Sequence, residues 1–82
     1  MVVIAFHISF QKKLKRIKDP ILKNKVIKQI EKLRENPEIG KPMRFLRRGT
    51  REIYIHPFRL SYCFIKKEDK IVLLELYHKD EQ

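Results

Sequence analysis

Acidic residues are scarce in this 82-residue chain, in which 10 Asp and Glu stand against 20 Lys and Arg, so the formal net charge is +10. A surplus of this size attracts polyanions, which in a cell are nucleic acids, anionic membranes or acidic proteins. A second interpretation is a solvated surface whose like charges favour solubility. Charge alone leaves these two interpretations open.

The chain has one cysteine, Cys63, and no tryptophan. A single cysteine excludes a disulfide within the chain, which fits a reducing compartment, and we predict a cytoplasmic protein. The three histidines, His7, His56 and His78, lack the spacing of zinc ligands. We therefore expect no metal site and no cofactor.

Long apolar runs are missing as well. The N-terminal stretch MVVIAF is too short for a signal peptide and lacks a basic leading segment. No segment approaches the roughly 20 apolar residues that a membrane-spanning helix needs. The sequence therefore predicts no membrane partner.

The first forty residues are predicted to form a strand and a helical hairpin. Residues 2–8 are apolar and β-branched, which is typical of a buried strand. Ser9 can cap the basic helix that follows. Asp19 and Pro20 favour the start of a second helix, which runs to about Glu35. Its inward face is predicted to carry Ile21, Leu22, Val26, Ile30 and Leu33.

The second half of the chain changes to the alternation of strands. Residues 43–46 are expected to be extended, Gly49 to lie in a turn, and residues 51–56 to form a strand. Two more strands follow, separated by the charged turn KKEDK. The predicted order β-α-α-β-β-β-β is an α+β fold, with the N-terminal strand and helical hairpin packed on one face of a mostly antiparallel sheet. We predict one domain over residues 1–82.

Alternation assigns the strand residues to two faces of this sheet. The core face is predicted to hold the apolar residues of the last three strands: Ile53, Ile55, Phe58, Leu60, Tyr62, Phe64, Val72, Leu74 and Leu76. The opposite face, which the helices leave open, is predicted to gather Glu52, Tyr54, Arg59, Glu75, Tyr77 and Lys79. His78 is expected at the edge of this open face.

Arg59 is unusual because it interrupts an apolar strand. One interpretation is a cross-strand ion pair with Glu52 or Glu75, a contact worth a fraction of a kcal/mol. The other is catalysis, because an arginine, a lysine, two tyrosines and a nearby histidine on one basic face can cleave a phosphodiester without a metal. Spacing alone does not choose between the two.

Several short motifs together resemble the RelE/ParE toxin superfamily over nearly the whole chain. They are ENPEIGKP, the approach L-x-x-G-x-R-E-I, FRLSYCF in the place of the family's Y-R-[IVL]-x-Y, and LYHKD in the place of its closing L-x-H-[RK]-K-D. The resemblance implies the fold described above and a RelE-like toxin of a type II toxin–antitoxin pair. RelE-like members cut messenger RNA on the ribosome, whereas ParE-like members inhibit DNA gyrase.

In the cleaving members the ribose 2′-hydroxyl attacks its own phosphate without a metal. The resemblance implies four catalytic candidates here, and the position of Glu52 on the open face adds a fifth. Arg59 would hold the charged phosphate with its fork of donors. Lys79 would stabilise the phosphate or the leaving oxygen, and His78 could move a proton. Tyr77 could orient the nucleophile or stack on a base, and Glu52 could serve as the base.

The chain departs from both cleaving branches at the position of the base. The YoeB branch has a glutamate where this chain has Met43. The RelE branch has lysines where this chain has Glu52 and Tyr54. The identity of the acid and of the base therefore stays open in the sequence.

Basic residues around the turn after the second helix form a predicted RNA-binding group. Contacts with the phosphate backbone would give affinity without sequence choice. The group comprises Lys41, Arg44, Arg47, Arg48 and Arg51, with Tyr54 beside them. A further nine Lys and Arg between residues 12 and 32 coat the helices. They form a solvated face or a contact with ribosomal RNA or an acidic antitoxin.

The resemblance implies three partners: a cognate acidic antitoxin, messenger RNA, and the ribosome with its rRNA. We expect the free toxin to be a monomer and the antitoxin complex to be a hetero-oligomer. The leading hypothesis is a ribosome-dependent mRNA endoribonuclease that inhibits translation. The alternatives are a ParE-like toxin that inhibits gyrase by binding it and a degenerate, non-toxic member.

Overall fold

The computed structural model describes residues 2–81, with side chains as far as residue 80. It contains two helices, α1 (Ile8–Arg16) and α2 (Pro20–Glu35). Its strands are β1 (Val3–Phe6), β2 (Lys41–Pro42), β3 (Arg51–Ile55), β4 (Phe58–Ile65) and β5 (Lys70–His78). The predicted β-α-α-β-β-β-β order of an α+β fold is confirmed.

The five strands form one mixed sheet in the order β1-β5-β4-β3-β2. β1 runs parallel to β5, with Val3 opposite Lys70 and Phe6 opposite Leu73, and the other neighbours are antiparallel. This confirms the predicted, mostly antiparallel sheet. Because β1 pairs with only the first half of β5, α1 can lie against the rest of β5.

The cap of α1 differs from the prediction. His7, rather than Ser9, is the N-cap, and its Nδ1 accepts a hydrogen bond from the Ser9 N–H at 3.1 Å. The helix begins at Ile8, two residues before the buried Phe10. Phe10 is the first residue of its apolar stripe. Ser9 therefore lies inside the first turn, where it cannot take the cap position.

The cap of α2 is the one predicted. The Asp19 carboxylate accepts a hydrogen bond from the Ile21 N–H at 3.0 Å, and Pro20 takes the first helical position, where an N–H is not needed. Val26 and Leu33 are buried, with Leu22 and Ile30 packed beside the core. Ile21 is exposed, contrary to prediction, because five residues before Val26 correspond to about 140° of rotation around the helix.

A bulge interrupts the pairing of β4 with β5. Ser61 pairs with Glu75, but its neighbour Tyr62 pairs with Leu73. Leu74 is therefore an extra residue on β5 with no partner of its own in the β4 register. From this point on, the alternation of inward and outward side chains on β5 shifts by one residue.

The bulge overturns two predicted core positions. Ile71 and Leu73 are fully buried before the bulge, and Leu76 is buried after it. Val72 and Leu74, which alternation counted back from Leu76 places in the core, are only half-buried. That count fails because a bulge changes the phase of the strand.

Tyr62 joins the loop after α2 to the sheet. Its hydroxyl accepts a hydrogen bond from the Gly40 N–H at 2.9 Å and donates one to the Pro37 carbonyl at 2.8 Å. Arg51 donates to the carbonyls of Glu38 and Gly40 at 2.9 and 2.8 Å. Burial raises the pKa of the Tyr62 phenol above its ordinary value, so the hydroxyl remains a donor at neutral pH.

The predicted extended segment over residues 43–46 is wrong. The strand ends at Pro42, and Phe45–Arg47 form a 3-10 turn. Phe45 has a φ of 59°, which an extended strand does not accommodate. The Met43 N–H donates to the Thr50 carbonyl at 3.0 Å, which closes residues 43–50 into a loop. We call this segment the 43–50 loop.

Candidate functional site

A buried carboxylate lies at the centre of the sheet face that carries Arg59. Glu52 is 7% exposed and stands between two arginines. Arg47 Nη1 lies 2.7 Å from Glu52 Oε2, and Arg59 Nη1 lies 3.5 Å from Oε1. The Tyr77 hydroxyl donates a hydrogen bond to Oε2. The predicted open face is therefore covered here, and Glu52 and Tyr77 are buried.

Arg47 provides this cover from the 43–50 loop. Its guanidinium donates to the Tyr77 hydroxyl at 2.8 Å, and its Cζ lies 5.3 Å from the centroid of that ring. The hydrogen bond with Tyr77, and to a smaller extent the Glu52 carboxylate, raise the pKa of Arg47 above its ordinary value. Arg47 is thus a permanent cation that holds the loop against the sheet.

Arg59 combines a structural contact with access to a cavity. Besides its pairing with Glu52, it faces Tyr54, and its Cζ lies 5.7 Å from the centroid of the Tyr54 ring. Its side chain is still 39% exposed. A cavity of about 180 Å³ is lined by Lys41, Met43, Glu52, Ile53, Tyr54 and Arg59. The predicted cross-strand ion pair therefore exists without closing the guanidinium off.

His56 belongs to this site, although it is not among the site residues predicted from the sequence. The Tyr54 hydroxyl and His56 Nδ1 lie 2.8 Å apart, and the two rings meet edge to face. Tyr54 therefore contacts both His56 and Arg59. The signal was in the sequence, because His56 follows Tyr54 by two residues and so shares its face. The result places an imidazole one side chain away from Arg59.

His78 and Lys79 lie elsewhere. The His78 ring packs edge to face on Phe58, with centroids 5.7 Å apart, and the two line a groove of about 360 Å³ beside the helices. Phe58 precedes Arg59 in β4, so their side chains point to opposite faces. Lys79 is exposed, and its N–H donates to the Pro57 carbonyl at 3.1 Å. The structure therefore does not bring the His78 ring to the Arg59 face.

The predicted RNA-binding group is divided. The Arg51 guanidinium donates hydrogen bonds to two carbonyls of the loop after α2, and it also pairs with the Glu38 carboxylate at 3.7 Å. Arg47 is exposed but binds Glu52 and Tyr77, and we call the other three exposed members around the 43–50 loop the basic rim: Lys41, Arg44 and Arg48. The sequence has no acidic residue between Glu38 and Glu52. The segment that carries the basic rim and borders the cavity at Arg59 therefore contributes cations and no carboxylate.

Two features are absent from residues 2–81. No group of three or more His, Cys, Asp or Glu is placed there to hold a metal ion. No helix in the same part of the chain is long and apolar enough to cross a membrane.

Solved structures share this fold. The RelBE2 toxin–antitoxin complex from Mycobacterium tuberculosis matches with a TM-score of 0.84 and 22% identity, over 95% of this chain and 98% of that one. A YoeB/ParE toxin from Agrobacterium tumefaciens matches with 0.84 and 13%, over 94% and 98%. A metal-bound toxin from Helicobacter pylori matches with 0.66 and 24%, over 99% and 98%.

Sequence comparison identifies the family. A search of curated proteins finds no match. The family model described as ParE toxin of type II toxin-antitoxin system, parDE, matches residues 4–82. That range includes both helices, Glu52 and its partners Arg47, Arg59 and Tyr77, and it confirms the resemblance seen in the motifs. The chain therefore belongs to the ParE toxin family of type II toxin–antitoxin systems.

Proposed function

We propose that this toxin is a ribosome-dependent mRNA endoribonuclease that inhibits translation. The observation that carries the proposal is Arg59, a partly exposed guanidinium held by Glu52 and Tyr54 at a cavity that Lys41 also lines. A guanidinium in a fixed position suits a phosphate, which it can bind through two donors at once. The acid-free basic rim supports a polyanionic substrate.

The proposed reaction is a transfer within the RNA chain. The 2′-oxygen loses its proton and bonds to the adjacent phosphorus, while the bond from phosphorus to the 5′-oxygen breaks. The 5′-oxygen takes up a proton, which leaves a 2′,3′-cyclic phosphate and a 5′-hydroxyl. Arg59 and Lys41 balance the extra negative charge on the phosphate oxygens. His56, hydrogen-bonded to Tyr54, carries the proton.

Glu52 has a positioning role in this proposal. Its two carboxylate oxygens face Arg47, Arg59 and the Tyr77 hydroxyl, so it is arranged as a counter-charge. An arginine fork that is held in place loses less freedom when it binds a phosphate. The earlier assignments of Glu52 as base and of Tyr77 as nucleophile-orienting residue stay predictions, as do those of His78 and Lys79.

The matched family supports a second candidate, a toxin that acts by binding DNA gyrase. The family model carries the ParE name, and the resemblance links that branch with gyrase. A toxin of this kind needs a protein-binding surface and no proton carrier beside Arg59. The third possibility, a degenerate and non-toxic member, requires neither.

Two assays with purified components separate these candidates. One measures cleavage of a defined messenger on programmed ribosomes, and the other measures supercoiling by DNA gyrase. We expect cleavage with cyclic-phosphate ends and unaffected supercoiling. Inhibited supercoiling with intact messenger would replace the proposal with the gyrase candidate. No effect in either assay would assign the chain to the degenerate class.

A matched pair of variants tests the proton carrier. His56→Gln and His78→Gln make the same change on opposite faces of the sheet. We expect His56→Gln to slow single-turnover cleavage by about 100-fold or more. We expect His78→Gln to leave the cleavage rate nearly unchanged. The reverse result would give the role to His78, as the resemblance implies.

The reaction is expected to need no metal, because its charge stabilisation and proton transfer are assigned to side chains. Single-turnover cleavage should persist in EDTA when polyamines keep the ribosomes assembled. The fold relative from Helicobacter pylori is a metal-bound toxin, which makes this measurement informative. Loss of cleavage that one specific divalent ion restores, with ribosome assembly verified, would contradict the expectation.

We also propose an acidic antitoxin as the cytoplasmic partner. The Mycobacterium tuberculosis fold relative is a toxin–antitoxin complex. The net charge of +10 supports an acidic partner for this chain. The free toxin is proposed to be a monomer formed by residues 1–82, whose first and last residues lie outside the described part. Its complex with the antitoxin is proposed to be a hetero-oligomer.

A further inference from the structure

The 43–50 loop exposes two large apolar side chains next to each other. Phe45 is 89% exposed and Leu46 is fully exposed. A domain of this size has little apolar surface to leave in water, and such residues usually lie in its core. Contiguous exposed apolar side chains with a polar border are typical of binding surfaces.

The loop is held in place by hydrogen bonds on its inner side. Arg47 donates to Glu52 Oε2 and to the Tyr77 hydroxyl, as described above. The Thr50 hydroxyl donates to the Arg47 carbonyl at 2.7 Å, and the Met43 N–H donates to the Thr50 carbonyl at 3.0 Å. The apolar side chains are therefore presented on a supported backbone.

The backbone of Phe45 is strained. Its φ of 59° lies in the left-handed region, which bulky residues avoid because Cβ approaches the carbonyl oxygen. Strain of this kind persists where neighbouring structure imposes it, and it concentrates at functional sites. Here the strained residue is an aromatic ring that gains almost no packing from its own protein. Its placement is consistent with a contact made outside the chain.

The surroundings of Phe45 are basic and lead to Arg59. A concavity of about 720 Å³ is lined by Lys41, Pro42, Met43, Arg44 and Phe45. Lys41 and Met43 also line the cavity at Arg59, so the two spaces adjoin. Proteins that bind single-stranded nucleic acid combine aromatic rings, on which bases stack, with cations that contact the phosphate backbone. An acidic protein that packs on the ring is the alternative occupant of this surface, and measurements with antitoxin and gyrase distinguish it from RNA.

We propose that Phe45 is a base-stacking residue, which receives the face of one nucleobase of single-stranded RNA. Lys41 and Arg44 bind the backbone beside it and lead the strand towards Arg59. This inference rests on the proposed function, which makes RNA the substrate. Because every base has a flat face, Phe45 adds affinity without choosing a sequence. The toxin then holds its substrate at two points, the stacked base and the reacting phosphate.

The absence of tryptophan from the chain allows a direct test. Phe45→Trp places a single fluorescent reporter at the stacking position, and Leu46→Trp is the matched control one residue further on. The probe is a short 2′-O-methyl oligoadenylate, which cannot undergo the 2′-oxygen attack, and an abasic strand of the same length is compared with it. We expect the oligoadenylate to quench Phe45→Trp strongly and Leu46→Trp weakly, and the abasic strand to quench neither strongly.

Affinities provide the second measurement. Phe45→Ala is expected to bind the oligoadenylate about fivefold or more weakly than wild type and the abasic strand equally well. Equal losses for both strands, or no loss, would overturn the proposal. A Phe45→Trp signal that responds to antitoxin or gyrase but not to RNA would also overturn it, because the loop would then contact a protein.

The inference and the proposed function fail separately. Stacking on the uncleavable strand without cleavage on ribosomes would overturn the proposed activity and leave the stacking contact in place. Cleavage by Phe45→Ala with an unchanged KM would overturn the stacking contact and leave the activity in place. Thermal unfolding of each variant, compared with wild type, confirms that the loop substitutions leave the fold intact.

Discussion

Glu52 is a buried charge, and its partners determine which substitutions the site tolerates. A carboxylate with so little exposure needs charged and hydrogen-bonding partners, and it has Arg47, Arg59 and Tyr77. The two arginines are 45% and 39% exposed, so each can return to water, whereas Glu52 cannot. Loss of Arg59 leaves Oε2 bonded to Arg47 and Tyr77 but removes the cation that faces Oε1. Loss of both would leave it buried and uncompensated.

Arg59→Ala is therefore expected to abolish growth inhibition and to leave the protein folded and able to bind antitoxin. The stability cost should be about 1–2 kcal/mol, because Arg47 and Tyr77 still bind Glu52 Oε2 and the 3.5 Å contact of Arg59 with Oε1 is an ion pair rather than a hydrogen bond. Arg59→Lys is the matched control, which keeps the charge without the two-donor fork and should restore little toxicity. Growth assays and thermal unfolding measure the two effects. An unfolded Arg59→Ala protein would show that Arg59 is structural.

Gly40 is a second residue at which one added atom matters. A Cβ at this position would lie 2.6 Å from the Tyr62 hydroxyl oxygen and 2.7 Å from its Cε1. Gly40→Ala should cost about 2–3 kcal/mol, since the ring is buried and the 2.9 Å hydrogen bond must lengthen. Gly49→Ala is the control, because φ is 94° there and an added Cβ would have no atom within 4 Å apart from the glycine and its chain neighbours. Its cost should be roughly 1 kcal/mol, from backbone strain alone.

Chemical denaturation of the two glycine variants measures both costs. We expect the midpoint of Gly40→Ala to fall clearly below that of Gly49→Ala, with similar slopes. A larger loss at Gly49 would mean that backbone strain in the 43–50 loop outweighs the contact between Gly40 and Tyr62.

At the scale of the element, the bulge in β5 allows one strand to serve two purposes. Before Leu74, the strand places Ile71 and Leu73 in the core and pairs with β1. After it, the shifted phase buries Leu76 against the helices and directs Tyr77 to Glu52 on the opposite face. Without the extra residue, continuing the alternation of Ile71 and Leu73 would put Tyr77 on the core face.

The same substitution at neighbouring leucines tests this account. Leu73→Ala should cost about 2–5 kcal/mol of unfolding free energy, because the side chain is fully buried and its loss leaves a cavity. Leu74→Ala should cost about 1 kcal/mol, because the side chain is only half-buried at the bulge. Urea unfolding of both variants gives the comparison. A larger cost at Leu74 would contradict the register of the structure and restore the unbroken alternation.

At the scale of the whole molecule, the basic charge is spread over more than the proposed reaction site. Lys12, Lys15 and Lys25 are exposed on the two helices, and none of them lines the cavity at Arg59. A groove of about 380 Å³ between α1 and β5 is lined by Ser9, Lys12, Lys13, Arg16, Glu75, Leu76 and Tyr77. This arrangement supports capture of an acidic, partly disordered antitoxin segment beside the helical hairpin.

Antitoxin binding is expected to be electrostatic in its association rate. Raising the salt concentration should slow association by about tenfold or more and change dissociation much less. Charge reversal at Lys12, Lys15 and Lys25 should slow capture and leave RNA cleavage nearly unchanged. Stopped-flow measurements over a salt series, with the triple variant alongside wild type, provide the comparison. An on-rate indifferent to salt and to charge reversal would indicate that apolar contacts dominate.

The sequence by itself determined the element order, the fold class and the family. Local rules were sufficient for these, because Asp19 and Pro20 mark a helix start and alternation marks β3 and β4. Alternation also placed Arg59 opposite the core and Tyr54 beside it. These features depend on residues a few positions apart, whose relation does not change with the rest of the fold.

Only the tertiary structure decided how the candidate site is assembled. The bulge at Leu74, which sets the facing of Tyr77, is a property of two paired strands, so a count along β5 cannot locate it. Arg47 meets Tyr77 from 30 residues away because a loop folds back over the sheet. That contact buries Glu52 and supports the backbone that exposes Phe45. Ion pairs and exposure depend on distances in space, and spacing along a chain predicts these only within one regular element.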